Sequence, residues 1–269
     1  MTLETVPLQP FGVELRRDLR TPLMPDERKA FRELVLKEGL VLARGQDLSM
    51  DQQADLLSSL GPLLNKGSGR GYVAPDDGVL GAQAIDFHSD ISFTPEPFEF
   101  ISLFAVEMSE GAGWTRFASG ARAFARLPAE TRAWLERQYV TTQYSMNGGS
   151  VPFRREAVVR WPGRPDPVLY LSRFAAPRFE GLSKEENAQR LAEIWDHVYA
   201  PEHVYHHDWR LGDLVVWDNL ALQHARPEIP PGIPRRLQRV VVARKSMLDQ
   251  VPAELAGVTY EGEAARSAY

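Results

Sequence analysis

The stretch 86-DFHSDISF-93 places His88 and Asp90 two residues apart, among Phe, Ile and Ser residues that follow a second aspartate, Asp86. On a β-strand, residues i and i+2 project to the same face, roughly 6–7 Å apart. His88 and Asp90 are therefore expected to share one face, where both could bind one metal ion. Taken alone, a buried histidine hydrogen-bonded to a nearby acid is the simpler explanation. A metal site requires a third ligand from elsewhere in the chain.

His224 is the best candidate for that ligand. It follows the apolar, strand-like run 214-LVVWDN-219 and precedes a proline-rich connection. Two histidines and one carboxylate form a facial triad that leaves three coordination positions open, a geometry suited to non-haem Fe(II) and O₂ chemistry. A closed zinc site would instead take four protein ligands. Trp217 and Asn219 are expected to shape the turn that presents His224.

The other histidines are expected to lie outside this site. The chain has six histidines in all. His197 falls late in a helical pattern, which predicts a surface position. Adjacent residues of a strand face opposite sides, so a structural or solvent-facing role is favoured for the cluster of His203, His206 and His207.

Two arginines follow the third ligand. Arg235 lies four residues before Arg239, so both are expected to face the same cavity. An arginine inside a barrel is costly unless it pairs with an anion, and a guanidinium is well shaped for bidentate carboxylate binding. A dicarboxylate co-substrate that chelates iron at one end would need such a clamp at the other. The neighbouring Arg236 remains the alternative clamp.

Together these residues resemble the taurine dioxygenase/TfdA-type family of Fe(II)- and 2-oxoglutarate-dependent dioxygenases, over roughly residues 30–245. His88 and Asp90 match the family's His-x-Asp motif. 212-GDLVVWDN-219 and His224 match its distal ligand motif. Arg235 and Arg239 stand 11 and 15 residues beyond His224, which is the family's spacing.

The resemblance also assigns the co-substrate residues. Thr115, in 111-GAGWTRF-117, matches the threonine that binds the distal carboxylate of 2-oxoglutarate. The resemblance implies that the C5 carboxylate pairs with Thr115 and Arg235. It places Arg239 nearer the C1 end and the substrate. It further implies a mainly β fold with flanking helices, a double-stranded β-helix (jelly roll, cupin-like), with Fe(II) held by His88, Asp90 and His224.

The expected reaction consumes 2-oxoglutarate and O₂, releases succinate and CO₂, and oxidises an unactivated C–H bond, most simply by hydroxylation. Arg239 favours a small anionic substrate such as a carboxylate, sulfonate or sulfate. Tyr72, Gln83 and Phe87 are expected to line its pocket. Three alternatives remain open: desaturation or another oxidative outcome in a biosynthetic pathway, a non-catalytic metal-binding jelly roll, and a metal-dependent hydrolase.

The elements that must position these residues are mostly short strands. Helical patterns cover 25–38, 49–61, 119–137 with a break at Pro128, and 184–199, and capping-box spacings open the second and fourth. The glycine-rich segment 62–84 is predicted to be a lid loop. One domain is expected over 1–269. Strand patterns cover 40–44, 85–93, 100–108, 138–145, 155–161, 167–172, 203–208, 214–218 and 237–244.

Composition excludes several other classes. The chain has 269 residues, of which 43% are hydrophobic, and contains no cysteine. Thiolate zinc sites, iron–sulfur clusters and thiol nucleophiles are therefore ruled out. The net charge of −5 disfavours nucleic acid and anionic membranes as partners. The N-terminal sequence lacks the features of a secretory signal, so a cytoplasmic protein is expected. The sequence is compatible with a homo-oligomer and does not determine the oligomeric state.

Overall fold

The computed structural model describes residues 3–65, 69–75, 81–109, 111–146 and 149–250, with the backbone alone described at 143–146 and 149–151. Five helices lie in these ranges: α1 Pro25–Glu38, α2 Met50–Ser58, α3 Gly120–Arg126, α4 Ala129–Leu135 and α5 Lys184–Val198. The predicted capping boxes are confirmed, because Ser49 and Ser183 accept hydrogen bonds from the backbone amides of Gln52 and Glu186. No helix in the described ranges is long and apolar enough to cross a membrane.

The strands form two main sheets. The strand bounds are β1 Thr5–Pro7, β2 Val13–Leu15, β3 Leu40–Ala43, β4 Arg70–Val73, β5 Ile85–His88, β6 Phe100–Met108, β7 Trp114–Ser119, β8 Tyr139–Met146, β9 Gly149–Glu156, β10 Val158–Val159, β11 Val168–Leu169, β12 Arg178–Phe179, β13 Val204–Asp208, β14 Leu214–Asp218, β15 Leu222–Arg226 and β16 Arg235–Val242. The larger sheet has seven strands in the order β1-β2-β3-β14-β6-β16-β4, and the smaller has four in the order β13-β7-β15-β5. A hairpin, β8 and β9, carries β12 at its edge, and β10 pairs with β11.

The two main sheets face each other across one apolar interior. Side chains from the larger sheet, such as Ile101 and Leu237, pack there with Phe117 and Leu222 from the smaller sheet. The outer face of the larger sheet packs on α1 and α2, and the outer face of the smaller sheet packs on α3, α4 and α5. This arrangement is the expected jelly roll with flanking helices. Among the site residues, His88 is the last residue of β5 and Arg235 is the first residue of β16.

Two of the predicted elements near the site differ from the structure. The strand predicted over 85–93 ends at His88, and Asp90 lies in a turn. The argument that His88 and Asp90 share a strand face is therefore wrong for Asp90. The predicted loop 62–84 contains β4, which pairs with β16. Parts of that segment, 66–68 and 76–80, lie outside the described residues, so its role as a lid stays a prediction.

Candidate metal and co-substrate site

His88 and His224 lie opposite each other on the antiparallel strands β5 and β15, with ring centroids 4.1 Å apart. Asp90 reaches both from the following turn. Its Oδ1 lies 3.3 Å from His88 Nε2 and 3.5 Å from His224 Nε2. A six-coordinate ion with ligand bonds near 2.1 Å separates adjacent ligand atoms by about 3 Å. The three side chains therefore fit one divalent ion bound on a single face of its coordination sphere.

Neighbouring groups fix the orientation of two of these ligands. His88 Nδ1 is 2.8 Å from the carbonyl oxygen of Asp86, and if it donates there, Nε2 is left to bind a metal. The side chain of Asn219 brackets the Asp90 backbone, accepting from its amide at 2.9 Å and donating to its carbonyl at 3.2 Å. Asn219 was expected to shape the turn before His224. Its contacts show that it also holds the turn that carries Asp90.

The protonation states suit a metal ligand set. Burial, helped by the nearby His88, lowers the pKa of His224 to about 3, so its ring is neutral at pH 7. Burial alone would raise the pKa of Asp90, but Arg239 and the two histidines outweigh it and the pKa is lowered. A neutral imidazole and an ionised carboxylate are the forms that bind metal ions.

Arg239 projects from β16 into the interior, as predicted, and its guanidinium pairs with Asp90 Oδ2. The other carboxylate oxygen of Asp90, Oδ1, is the one that lies next to the two histidines. Arg239 also lies over the ring of Phe98, 5.6 Å from its centroid. In this structure Arg239 therefore supports a metal ligand, and its predicted contact with substrate stays a prediction.

Arg235 and Thr115 are both buried, with 4% and 3% of their surfaces exposed. Among the described residues, Nε and Nη1 of Arg235 have no hydrogen-bond partner. Burial, together with the nearby Arg226, lowers the pKa of Arg235 to about 10. Arg236 is exposed and lies 3.9 Å from Glu107. Of the two adjacent arginines, Arg235 is thus the one with buried donors available for an anion.

Thr115 has a hydrogen-bond partner that sequence reasoning missed. Trp209 Nε1 donates to Thr115 Oγ1 at 2.9 Å. Because the indole N–H is only a donor, the threonine oxygen must accept, and its own proton points elsewhere. The Thr115 hydroxyl is therefore free to donate to an anion bound in the interior. His207 of β13 pairs with Thr115 of β7, and Trp209 lies two residues after His207. Knowledge of this strand pairing would have identified Trp209 as a neighbour of Thr115.

Two of the predicted pocket residues face away from the triad. Phe87 packs on the outer face of the smaller sheet, stacked on Tyr199 at 4.2 Å, because adjacent strand residues face opposite sides and His88 faces inward. Tyr72 pairs with Gln238, the neighbour of the inward-facing Arg239, and is 49% exposed near Arg236. Neither placement supports a role in lining the site.

Gln83 is exposed just before β5, and its contact with substrate stays a prediction. Two residues near the site were not identified from the sequence. The ring of Phe174 lies 5.5 Å from the His88 ring, and the residue is 46% exposed. Phe174 lies in a loop, where no periodic sequence pattern indicates its position. Arg226 lies two residues after His224 on β15 and donates to the Gly81 carbonyl at 2.7 Å. Strand alternation from His224 could have identified it.

The remaining histidines lie outside the triad, as expected, but the predicted surface position of His197 is wrong, because its ring is half-buried against His203. His206 is exposed and His207 is buried, facing opposite sides of β13. His207 Nε2 lies 3.3 Å from Asp213, which also pairs with Arg44 at 2.8 Å. His203 is buried, and the His197 ring is hydrogen-bonded to the Ala123 carbonyl. Within the described residues, the triad is the one group of histidines and acids that could hold a metal ion.

Comparison with known proteins agrees with this geometry. The profile of the family described as "Taurine catabolism dioxygenase TauD, TfdA family" matches residues 4–241. The alpha-ketoglutarate-dependent 2,4-dichlorophenoxyacetate dioxygenase of Cupriavidus pinatubonensis is 30% identical, with 89% of this chain and 97% of that protein covered. The tyrosine isonitrile desaturase of Erwinia amylovora is 26% identical, with 78% of each covered. The crystal structure of AAD-2 with Mn(II) and N-oxalylglycine superposes with a TM-score of 0.79 at 27% identity, covering 91% of this chain and 99% of that chain.

The chain therefore belongs to the TauD/TfdA family of dioxygenases. It is an oxidoreductase that depends on Fe(II) and 2-oxoglutarate. The arrangement of His88, Asp90 and His224 fits that metal, because two imidazole nitrogens and one carboxylate are the donor set of non-haem Fe(II) oxygenases.

Proposed function

We propose that this enzyme oxidises, most simply by hydroxylation, an unactivated C–H bond of a small anionic substrate and releases succinate and CO₂. The observation that carries the proposal is the pairing of the triad with Arg235, a buried guanidinium with unsatisfied donors. A protein that only bound metal would have no need for a buried guanidinium with unsatisfied donors.

The triad residues have distinct roles in this proposal. His88, Asp90 and His224 hold Fe(II), and the bound iron with 2-oxoglutarate supplies the oxidising chemistry. The His88 and His224 rings would hold the ion through Nε2, the atoms that face Asp90. Arg239 keeps Asp90 ionised and directs its Oδ1 towards the histidines. A set of three protein ligands would leave further coordination positions of the ion for 2-oxoglutarate and O₂.

The interior residues bind and orient the co-substrate. Arg235 forms a charge-assisted pair with the distal carboxylate of 2-oxoglutarate, and Thr115 donates its hydroxyl proton to the same carboxylate. Trp209 holds the Thr115 oxygen so that this proton points into the interior. Burial excludes water from the pair, which strengthens the interaction over that at an exposed site.

Local charge supports an anionic substrate. Three guanidinium groups, of Arg226, Arg235 and Arg239, lie with the single carboxylate of Asp90 in the described part of the site. The 2,4-dichlorophenoxyacetate of the relative named above is such an anion.

Desaturation is the second candidate outcome. A relative covering 78% of this chain is named as a desaturase, so the same fold supports that chemistry in another protein. Both outcomes begin with removal of hydrogen from a C–H bond, and substrate placement decides between them. The ring of Phe174, 5.5 Å from the His88 ring and partly exposed, can influence where the substrate lies.

A succinate-release screen tests the function. Purified enzyme with Fe(II), ascorbate, O₂ and 2-oxoglutarate is incubated with carboxylates, sulfonates, sulfate esters and amino acids, and products are identified by mass spectrometry. Substrate-dependent succinate with a product that has gained one oxygen atom supports hydroxylation, and loss of two hydrogen atoms supports desaturation. Conversion of substrate without O₂ or 2-oxoglutarate would contradict both outcomes.

A further inference from the structure

The turn that carries Asp90 is held in an unfavourable backbone conformation. Asp90 follows β5 directly, and the next residue, Ile91, has φ of +49°. A β-branched residue rarely adopts the left-handed region, because its Cβ crowds the backbone. Such a conformation persists only where surrounding groups over-determine it.

Two side chains from distant parts of the chain hold this turn. Asn219 brackets the backbone of Asp90 on one side. On the other side, Arg155 of β9 donates from Nη1 to the Ser92 carbonyl at 2.7 Å and from Nη2 to the Thr94 carbonyl at 3.2 Å. The fork of the guanidinium thus spans the carbonyls that follow the strained residue.

Burial of the Arg155 guanidinium costs free energy that apolar packing alone would not offset. It is 9% exposed, and its guanidinium lies 4.7 Å from the Tyr170 ring and 4.9 Å from the Phe153 ring. Within the described ranges, no carboxylate forms a salt bridge with it. A buried cation without an acidic partner is unfavourable unless its donors are satisfied. Here Nη1 and Nη2 donate to the two carbonyls of the Asp90 turn, and among the described residues only Nε of the guanidinium has no hydrogen-bond partner.

We propose that Arg155 is a positioning residue for the metal ligand Asp90. By fixing the carbonyls of Ser92 and Thr94, it holds the turn so that the Asp90 carboxylate stays between the two histidines. This inference rests on the proposed metal role of Asp90. It assigns a function to β9, in a hairpin that otherwise contributes to the outer layer of the smaller sheet.

Replacement of Arg155 by methionine removes the fork and keeps an unbranched side chain. Arg154→Met is the matched control, because Arg154 is the adjacent residue on β9 and is exposed, pairing with Glu180. Arg155→Lys keeps the charge but cannot donate to two carbonyls from a planar fork. It serves as the second variant if Arg155→Met does not fold.

The first measurement is Mn(II) affinity, followed by the electron paramagnetic resonance signal of the free ion, without 2-oxoglutarate. Loss of an outer-shell partner typically weakens metal binding 10- to 100-fold. We expect Arg155→Met to bind Mn(II) roughly 10-fold or more weakly, Arg155→Lys to fall between it and the wild type, and Arg154→Met to match the wild type.

The second measurement is amide hydrogen exchange in the metal-free protein, read at Ser92 and Thr94. Both amides donate within the turn, to the carbonyls of Ser89 and Ile91. Arg155→Met is expected to speed their exchange relative to Arg154→Met. A wild-type protein that binds no Mn(II) would overturn the proposed metal site. Even then, faster exchange in Arg155→Met than in Arg154→Met would support the claim that Arg155 holds the turn. Wild-type Mn(II) affinity and unchanged exchange in folded Arg155→Met and Arg155→Lys would overturn the positioning role.

Discussion

The indole nitrogen of Trp209 donates a 2.9 Å hydrogen bond to the hydroxyl oxygen of Thr115 inside the barrel. This bond uses the threonine oxygen as an acceptor and leaves its proton to be donated elsewhere. The relationship connects a residue beyond the end of β13 to the candidate site for the distal carboxylate of 2-oxoglutarate. It also gives a direct way to perturb that site without changing a residue that touches the co-substrate.

Trp209→Phe should weaken 2-oxoglutarate binding moderately. The variant keeps most of the packing but loses the N–H donor, so the Thr115 hydroxyl can turn away from the co-substrate. A net contribution of about 1 kcal/mol for one hydrogen bond corresponds to roughly a 5-fold rise in KM for 2-oxoglutarate. Steady-state kinetics with a saturating primary substrate would measure it. An unchanged KM would show that Trp209 does not orient Thr115.

Arg235→Met should impair co-substrate binding and stabilise the free protein. Loss of a charge-assisted bidentate pair should raise KM for 2-oxoglutarate by roughly 10- to 100-fold. Without 2-oxoglutarate, the free energy of unfolding should rise by about 1 kcal/mol or more, because a buried guanidinium with unsatisfied donors is replaced by an apolar side chain. Kinetics and urea unfolding measure the two effects.

Arg236→Met is the control for that experiment. Arg236 is the adjacent residue on β16 and is exposed, near Glu107. Its replacement should leave KM within about 2-fold and the unfolding free energy within about 0.5 kcal/mol. If Arg236→Met instead produced the large rise in KM, Arg236 would be the clamp.

Arg164→Met should destabilise the fold near the metal site. Arg164 donates to both oxygens of the fully buried Asp218, at 2.8 and 3.1 Å. Removing one partner of a buried ion pair leaves an uncompensated charge, at a cost of about 3–5 kcal/mol. Urea unfolding of the metal-free protein should show a loss in this range. The exposed pair Arg160–Glu136 provides a control, and Arg160→Met should lower stability by less than about 1 kcal/mol.

The stability of the metal-free protein should fall as pH drops below about 6.5. Burial lowers the pKa of His207 in the folded protein, although Asp213 opposes the shift. The unfolded chain therefore binds a proton near pH 6.5 that the folded chain does not yet bind, so acidification favours unfolding until the folded pKa is reached.

Replacement of His207 by glutamine should flatten that pH dependence. Urea unfolding at pH 7 and pH 5 with EDTA would compare wild type with His207→Gln, and with His206→Gln, which changes the exposed neighbour on the same strand. The smaller loss of stability on acidification is expected for His207→Gln alone. An equal loss in all three proteins would show that His207 does not contribute.

Much of the architecture follows from local patterns. The helix over 25–38 and the strands over 100–108 and 214–218 have the predicted bounds. The helix has apolar residues at helical spacing, and the two strands are continuous apolar runs that are mostly buried. The jelly roll is confirmed. The same alternation rule places Phe87 opposite His88, and it excludes Phe87 from the site once His88 faces inward.

The rest depends on tertiary contacts that a single sequence does not show. Asp90 lies in a turn whose conformation at Ile91 depends on Asn219, more than a hundred residues away along the chain. Arg155 and Trp209 act through partners that only the register between distant strands and loops brings together. Sequence spacing could identify the ligand residue types, whereas the groups that hold them required the fold.

The most direct test of the central claim is the visible charge-transfer absorption of the anaerobic complex of enzyme, Fe(II) and 2-oxoglutarate. Wild-type protein should develop the band at one equivalent of iron, because 2-oxoglutarate chelates an ion held by His88, Asp90 and His224. His224→Ala should lose the band, and His206→Ala, which changes an exposed histidine outside the triad, should keep it. A wild-type protein without the band, or a His224→Ala variant with an undiminished band, would contradict the account.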